Sequence, residues 1–174
     1  MIFTASLDKT AKRVTAGIAV LFALNICFFL PALEHGAYFV LIGTSLVLVS
    51  IFVGAYLFRT TAYEITPQQL IIHRPFNKKI LDKTNITKIE LLEEGALSRS
   101  TRLFGNGGLF GYYGKFSNRR FGYMTWYATN RANPVLLQMA GGKKVIITPD
   151  EGETFIAAFS NARPLPEPLE LEHT

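Results

Sequence analysis

Two apolar runs decide the fold: VTAGIAVLFALNICFFLPAL at residues 14–33 and AYFVLIGTSLVLVSIFVGAYLF at residues 37–58. Each run has roughly the 20 residues that a helix needs to cross the hydrocarbon core of a bilayer. Neither run contains a charged side chain, and only the segment Glu34–Gly36 separates them. The sequence therefore predicts a hairpin of two transmembrane helices, which makes residues 1–59 a membrane anchor.

Two other structures could produce such runs. A secretory signal peptide needs a small-residue cleavage site soon after a short apolar core. The segment Pro31–Glu34 is a poor cleavage site, and a second full-length run follows at once. The other alternative is a pair of buried core helices in a soluble protein, but uncharged runs of this length favour the membrane.

Flanking charges predict the orientation of the hairpin. Lys9, Lys12 and Arg13 precede the first run and Arg59 follows the second, whereas the connecting loop carries Glu34 and no Lys or Arg. The positive-inside rule then places both termini in the cytoplasm.

Two side chains inside the first run narrow its role. We expect Asn25 to form a hydrogen bond to the second helix, near Thr44 or Ser45, because polar side chains join helices within a membrane. Cys27 is the single cysteine of the chain, so no disulfide forms within it, which agrees with a reducing compartment. Because neither run holds an ionisable residue that could serve a pore or a proton relay, a transport function is not indicated.

The chain after the anchor predicts a β-rich body at residues 60–161. Runs of β-branched, aromatic and alternating apolar residues are separated by turn signals such as Pro67-Gln68-Gln69 and Gly141-Gly142. The predicted strands, about seven, cover residues 62–66, 70–74, 79–81, 86–92, 123–128, 134–139 and 143–148. The last two flank Gly141-Gly142 and predict a hairpin. Many short strands with such turns are typical of a barrel or a sandwich.

A helix is predicted to follow the last strand. Thr148 is placed to cap it, Pro149 suits the first helical position, and Glu151 would complete a capping box. The helix is expected to end near Asn161.

The predicted helix is amphipathic, and a different kind of segment follows it. Phe155, Ile156 and Phe159 fall on one face at three- and four-residue spacing. Residues 162–174 are rich in proline and acidic side chains, which excludes regular structure and predicts a flexible tail.

Several segments of the body resemble a known family. They are residues 63–66, 70–76, 102–116 and 126–130, and the most specific is RLFGNGGLFGYYGKF at residues 102–116. They resemble a bacterial pleckstrin-homology-like (PH-like) family of unknown function, over roughly residues 61–161 and with a preceding pair of helices.

The resemblance implies a fold and a location but no functional residues. The implied fold is α+β: two N-terminal transmembrane helices, then a PH-like split β-barrel of two near-orthogonal sheets, closed at one end by the C-terminal helix. The expected location is the inner (cytoplasmic) membrane of a bacterium, as a multi-pass protein.

A function is best sought between Glu94 and Asp150, where the chain carries no Asp or Glu and eight Lys or Arg. Near an anionic leaflet, each such cation contributes about 1 kcal/mol. We predict that this surface binds lipid head groups or an acidic partner; the alternative is a solvated face that reflects only the positive-inside bias. The candidate residues for lipid or partner binding are Arg99, Arg102, Phe104, Phe110, Tyr112, Tyr113, Lys115, Arg119, Arg120 and Arg131.

The aromatic residues between the glycines at 104–114 need a surface to pack against. Glycine lets the backbone turn sharply or approach another group closely, and exposed aromatic side chains would form an apolar patch. Three alternatives remain open for what covers them: the core of the body, the bilayer interface, where Tyr and Phe are enriched, or another protein.

Nucleotide-binding patterns do not fit this segment. A dinucleotide fingerprint that starts at Gly105 would need glycine at its sixth place, where the chain has Phe110. A P-loop ending at Gly114-Lys115 would need glycine at Leu109 and Ser or Thr at Phe116.

The sequence holds no catalytic or metal-binding pattern. His35, His73 and His173 are far apart, and the single cysteine lies in the membrane run. His73 is typical of a surface or half-buried strand residue; a deep pocket holding it beside a carboxylate would favour an enzyme instead. We therefore predict no enzyme, no cofactor, no metal and no nucleic-acid partner.

Taken together, the patterns predict a membrane-anchored cytoplasmic binding or scaffold module that presents a basic, aromatic surface to anionic lipid or to a protein partner. The alternative is a structural subunit of a membrane assembly or a homo-oligomer, since Gly43, Ser50 and Gly54 form a small-residue face on the second helix. A non-catalytic subunit of a membrane enzyme is the least favoured alternative.

Overall fold

The structure, a computed structural model, describes residues 1–30 and 38–162. The predicted loop at Glu34–Gly36 and the predicted tail lie outside these residues, apart from Ala162, which follows the last helix. Two helices, α1 (Lys9–Phe29) and α2 (Tyr38–Leu57), precede most of the β-body. Both are long and apolar enough to cross a membrane by length and composition.

The two helices pack against each other along a narrow seam and leave most of their surface exposed. Only 6% of an 18-residue apolar stretch within each helix is buried. The Ser45 hydroxyl donates a hydrogen bond to Asn25 Oδ1 over 3.4 Å, which confirms the predicted polar contact between the helices. Asp8 caps α1 by accepting a hydrogen bond from the backbone N–H of Ala11.

In the described residues, ten strands form two sheets. Their bounds are β1 Ile2–Thr4, β2 Ala62–Ile65, β3 Gln69–His73, β4 Lys78–Asp82, β5 Ile86–Leu91, β6 Thr101–Gly108, β7 Gly111–Asn118, β8 Gly122–Ala128, β9 Val135–Met139 and β10 Lys144–Ile147. All seven predicted strands are present. The structure adds β1, β6 and β7, so the expected number of about seven was too low.

The strand order differs between the sheets. The first sheet has the order β1-β2-β3-β4 and is antiparallel throughout. The second has the order β5-β9-β10-β8-β7-β6, in which only the β8–β10 pair is parallel. The described strands form two sheets without a closed barrel, so the barrel expectation holds only as far as a two-sheet body with a C-terminal helix.

One hydrophobic core lies between the two sheets. Alternate residues of β2 and β3, including Tyr63, Leu70 and Ile72, face apolar side chains of β9 and β10. The C-terminal helix α3 (Gly152–Asn161) adds Phe155 and Phe159 to this core, as its predicted apolar face requires.

A second core covers the opposite face of the six-stranded sheet. Trp126, Phe116 and Tyr112 lie there beneath the segment that joins β5 to β6 and beneath the start of α1, which contributes Ala11. The first turn of α1 is therefore packed into the β-body rather than held by a free linker.

The start of α3 differs from the prediction. The helix begins at Gly152, and Glu151 at its N-cap makes no side-chain capping bond. Thr148 Oγ1 instead accepts a hydrogen bond from the backbone N–H of Thr129. The capping box was wrong because the strand-end contact already occupies the Thr148 hydroxyl.

Asp150 is likewise bound to the N-terminal segment. It accepts hydrogen bonds of 2.8 Å from the Thr4 and Ser6 hydroxyls and from the Ser6 backbone N–H. Burial alone would raise the pKa of Asp150, but the bonds from Ser6 and Thr4 outweigh it and hold this pKa below its usual value. Together with β1, this carboxylate fixes the segment that leads into α1.

Candidate functional site

The glycine- and aromatic-rich stretch forms the β6–β7 hairpin, an element missing from the predicted strands. Gly105 and Gly114 face each other across it. A Cβ at Gly105 would lie 2.3 Å from the Tyr113 carbonyl oxygen, and one at Gly114 would lie 2.2 Å from the Phe104 carbonyl oxygen. Both glycines have positive φ angles, of 108° and 123°. This close crossing of two strands requires glycine at both positions.

The hairpin tip is the two-residue turn Leu109-Phe110 between Gly108 and Gly111. Phe110 has a φ of 57°, a left-handed conformation that is costly for an aromatic residue. The Asn106 side chain bonds to the backbone of Leu109 and holds the turn. The Phe110 backbone N–H donates to Thr15 Oγ1 over 3.0 Å, so α1 also holds it.

The Phe110 ring packs against α2. Its centroid lies 4.8 Å from that of Phe52 and 5.5 Å from that of Tyr56, both edge to face. The Tyr113 hydroxyl donates to the Ala55 carbonyl oxygen over 3.4 Å. Phe52 lies seven residues before Arg59, or about 10 Å along the helix axis, so the hairpin tip reaches well inside the apolar length of α2.

Two other aromatic residues of β7, Tyr112 and Phe116, face the second core. Phe116 stacks on Trp126 at 4.2 Å, and Tyr112 is buried beside them. The Tyr112 hydroxyl donates to Asp8, and the Arg131 guanidinium lies 4.7 Å from the Tyr112 ring. Burial, reinforced by the Asp8 charge and opposed by Arg131, raises the pKa of Tyr112 to about 12.

A cleft of about 690 Å³ separates strand β6 from the two helices. Its walls come from Val14 and Ile18 on α1, from Ile51 and Ala55 on α2 with Phe58 just after it, and from the hairpin itself. Three candidate residues, Arg102, Phe104 and Tyr113, line it, and Phe104 is 78% exposed. The cleft is apolar on most sides, and Arg102 is the only charged residue in its lining.

The other end of the hairpin is basic. Arg99 and Arg119 line a depression of about 600 Å³, and the Arg120 guanidinium lies 5.2 Å from the Phe121 ring. Lys144 donates to the Phe121 carbonyl oxygen over 2.7 Å. We call Arg99, Arg119, Arg120 and Lys144 the basic end. Within residues 1–30 and 38–162 the ion pairs join His73 to Glu64 and Lys88 to Glu90, so these four cations lack a carboxylate partner there.

The structure therefore divides the candidate residues rather than joining them in one site. Phe110, Tyr113 and Arg102 lie at the helices, whereas Arg99, Arg119 and Arg120 lie at the basic end. The eight residues of β7, or roughly 26 Å of extended strand, separate Phe110 from Arg119. The backbone of Arg102 pairs with Phe116, three residues before Arg119, and its side chain extends along β6 to Gly107, near the tip. Lys115 is exposed between them and donates to Thr125 Oγ1 over 3.0 Å.

Two arginines that the sequence analysis did not select lie where α2 meets the body. The Arg59 guanidinium lies 4.5 Å from the Tyr56 ring, and that of Arg74 lies 5.4 Å from the Tyr127 ring and 5.8 Å from the Phe58 ring. The alternation of aromatic residues with Arg59 at the end of the second run was the available signal for this junction.

His73 has a carboxylate neighbour and is not among the lining residues of the clefts described above. Its Nε2 lies 2.7 Å from Glu64 Oε2 on the outer face of the four-stranded sheet, and both side chains are about a quarter exposed. The clefts described above lie elsewhere in the molecule. In the described part of the chain, no three His, Cys, Asp or Glu side chains come together as a possible metal site.

Comparison with known proteins gives one match. Residues 61–162, more than half of the chain, match the family described as Bacterial PH domain. The match runs from the start of β2 to the end of α3 and confirms the resemblance seen in the sequence. No curated protein and no solved structure matches the chain.

Proposed function

The chain belongs to the bacterial PH domain family, and on that premise we propose that it is a membrane-anchored binding module whose basic end receives an acidic protein partner. The single observation that carries the proposal is the division of the β6–β7 hairpin. Its tip contacts the molecule's own helices, whereas the three arginines of its basic end are exposed and lack carboxylate partners in the described residues.

The surface of α1 and α2 supports the anchor. A core helix of a soluble protein would be mostly buried, yet both helices expose large apolar side chains on every side except the seam between them. A signal peptide explains α1 poorly, because β1 precedes it and pairs with β2. Cleavage after α1 would remove a strand of the four-stranded sheet.

The geometry favours a protein over the bilayer as the partner of the basic end. The hairpin tip contacts the helices at Thr15 and Phe52, within their apolar lengths. Strand β7 then leads away from this contact for eight residues before it reaches Arg119 and Arg120. Cations that touched head groups would be expected beside the helix ends, where Arg59 and Arg74 already lie.

Residue-specific crosslinking in intact cells tests the proposal. A photoreactive amino acid at position 119 of the full chain should give a defined adduct with one protein that has an acidic surface. The same probe at Lys88 is the control, because β5 lies four strand spacings, or about 19 Å, from β7 in the sheet.

The purified pair then provides a quantitative test. Arg119→Glu with Arg120→Glu should weaken the complex at least about tenfold, and more at low salt than at high salt. Lys88→Glu should leave the affinity within about twofold, since its contribution would be that of a distant charge. An adduct with phospholipid alone at position 119 would contradict the proposal and place the basic end on the bilayer.

A further inference from the structure

The cleft between β6 and the helices has an apolar end and a cationic end. Ile18 and Ile51 line its apolar end, and Ile51 lies eight residues, or about 12 Å along the helix, before Arg59. Phe58, which directly precedes Arg59, lines the cleft where α2 has ended, and the Arg102 guanidinium lies beside Gly107, next to Gly108, which meets Val14 at the start of the first apolar run. The polarity of the cleft therefore changes along the same direction as that of a bilayer leaflet.

Arg102 is placed to meet an anion there. Its side chain is exposed and lies along Gly107, where an added Cβ would be 3.3 Å from Nη1. No ion pair within residues 1–30 and 38–162 involves Arg102. A second cation, Arg74, lies behind Phe58 with its guanidinium 5.8 Å from that ring. The cationic end therefore carries positive charge without a neutralising carboxylate in the described lining.

We propose that this cleft binds one anionic phospholipid, with its phosphate on Arg102 and an acyl chain along Ile18, Ile51 and the exposed Phe104 ring. The inference rests on the membrane anchoring proposed above but not on a protein partner at the basic end. Basic pockets beside transmembrane helices at the cytoplasmic side are suited to anionic head groups. The volume of about 690 Å³ is within the range of small-molecule sites.

Charge and shape favour a lipid over a second copy of the chain. A helix of another copy would bring the surface of α1 or α2, which carries no acidic side chain, to Arg102 and leave this cation unpaired. The open edge of β6 would instead need a strand, but the helix side chains Val14 and Ala55 share the cleft wall and narrow that approach. A flexible amphiphile satisfies both ends at once.

Native mass spectrometry of the full chain in detergent tests the site. The chain is stripped of lipid and titrated with phosphatidylglycerol or with phosphatidylcholine. We expect the first phosphatidylglycerol to bind about tenfold more tightly than the first phosphatidylcholine, because phosphatidylglycerol presents a net negative charge to Arg102, whereas the choline cation of phosphatidylcholine offsets the charge of its phosphate. Inorganic phosphate should not compete, since the acyl chain contributes to binding.

Three variants make the result specific. Arg102→Ala should abolish the tenfold preference, whereas Arg119→Ala, which removes the same charge at the basic end, should retain it. Ile51→Trp should weaken both lipids by filling the apolar end, and its exposed position makes the substitution compatible with folding. An unchanged preference in Arg102→Ala, or equal losses in the Arg102 and Arg119 variants, would overturn the site.

The same experiment separates this inference from the proposed function. A loss of lipid preference in Arg102→Ala together with an intact protein adduct at position 119 supports both proposals independently. Full-length chain that stays monomeric in solution without detergent would overturn the anchoring and the lipid site together. A dimer whose contact includes Arg102 would overturn the lipid site alone.

Discussion

The two ends of the β6–β7 hairpin belong to the same pair of strands but have opposite surroundings. At the tip, glycines let an aromatic residue in a left-handed conformation reach Thr15 and Phe52 on the helices. At the basic end, Arg119 and Arg120 lack carboxylate partners within the described residues. We call the contact of the hairpin tip with the helices, made by Phe110 with Thr15 and Phe52, the joint. The comparison teaches that residues close together in sequence can form both an internal contact, the joint, and an outward-facing surface.

The tip also explains the density of glycine in the hairpin. Gly108 lies where a Cβ would be 3.3 Å from the Val14 side chain, and Gly111 lies where a Cβ would be 2.9 Å from the Ala128 carbonyl oxygen. Bulkier residues would push the hairpin away from α1 and from β8. The glycines therefore serve close packing at the joint, which is the self-packing alternative for this segment.

The largest expected effect comes from adding a side chain where β6 and β7 approach each other most closely. Gly105→Ala should destabilise the full chain by about 3–5 kcal/mol, because the new Cβ meets the Tyr113 carbonyl oxygen in addition to the backbone strain. Thermal unfolding in detergent, followed by the fluorescence of the single tryptophan Trp126, measures the loss.

Gly142→Ala is the matched control for that prediction. Gly142 also has a positive φ, of 78°, but nothing lies within 4 Å of its added Cβ. Backbone strain alone should cost about 1–2 kcal/mol. Equal losses at the two positions would show that the close crossing of β6 and β7 contributes nothing.

The next effect concerns the contact between the tip and the helices. Phe110→Ala should cost about 1–3 kcal/mol, since two edge-to-face contacts with Phe52 and Tyr56 are lost while the strained backbone remains. Phe104→Ala removes an equally large ring that is 78% exposed, and should change stability by less than about 0.5 kcal/mol. A similar loss in both variants would mean that the tip contact does not hold the joint.

Asp150 provides a smaller, pH-dependent effect on the same joint, because it binds the segment that leads into α1. Asp150→Asn should destabilise the chain by about 1–2 kcal/mol at pH 7. Because the bonds from Ser6 and Thr4 lower the pKa of Asp150, its contribution is full above the ordinary value of 3.8 and is lost as the pH falls through the lower folded value.

Unfolding of wild type and Asp150→Asn at pH 7 and near pH 3 measures this effect. The difference between the two chains should shrink at the lower pH. Glu151→Gln is the neighbouring control and should behave as wild type, since Glu151 makes no side-chain capping bond. A difference that grows on acidification would contradict the assigned role of the Asp150 carboxylate.

The smallest effect on stability is expected at the basic end. Arg119→Ala should stay within about 0.5 kcal/mol of wild type in the unfolding assay, because its side chain is exposed and makes no ion pair in the described residues. A loss as large as that of Phe110→Ala would show that the basic end has a structural role instead.

Much of the fold could be predicted from patterns that depend on near neighbours. The two helices, the strand at Ala62–Ile65, the hairpin around Gly141-Gly142 and the apolar face of α3 all follow from local periodicity and turn residues. The Asn25–Ser45 contact could be predicted because two facing helices offer few partners to one amide.

The elements that escaped prediction depend on distant partners. Strand β1 is three residues long and is set by pairing with β2, some 60 residues later. The β6–β7 hairpin has too many glycines for a strand pattern, and the strands are held by close packing against each other and against α1. The predicted cap at Thr148 is wrong because the backbone N–H of Thr129, nineteen residues earlier, donates a hydrogen bond to the Thr148 hydroxyl.

The candidate site could be located in the sequence, but its separation into a tip that packs on the helices and a basic end could not be predicted. The run without Asp or Glu indicated where cations accumulate, yet it gave no direction for each side chain. Binding of lipid or protein by the candidate basic residues stays a prediction. The boundary between anchor and body at residue 59 also stays a prediction. The pairing of β1 with β2 adds that the first residues pack with the body.

Depth measurements on the full chain in bilayers test the central claim most directly. A nitroxide label is attached to a single cysteine at position 104 or at position 119, in a Cys27→Ser background, and its accessibility to lipid-attached and to aqueous relaxation agents is compared. The account predicts that the label at position 104 responds to the lipid-attached agent and the label at position 119 to the aqueous agent. A stronger lipid response at position 119 than at position 104 would contradict the account, because the basic end would then lie on the bilayer.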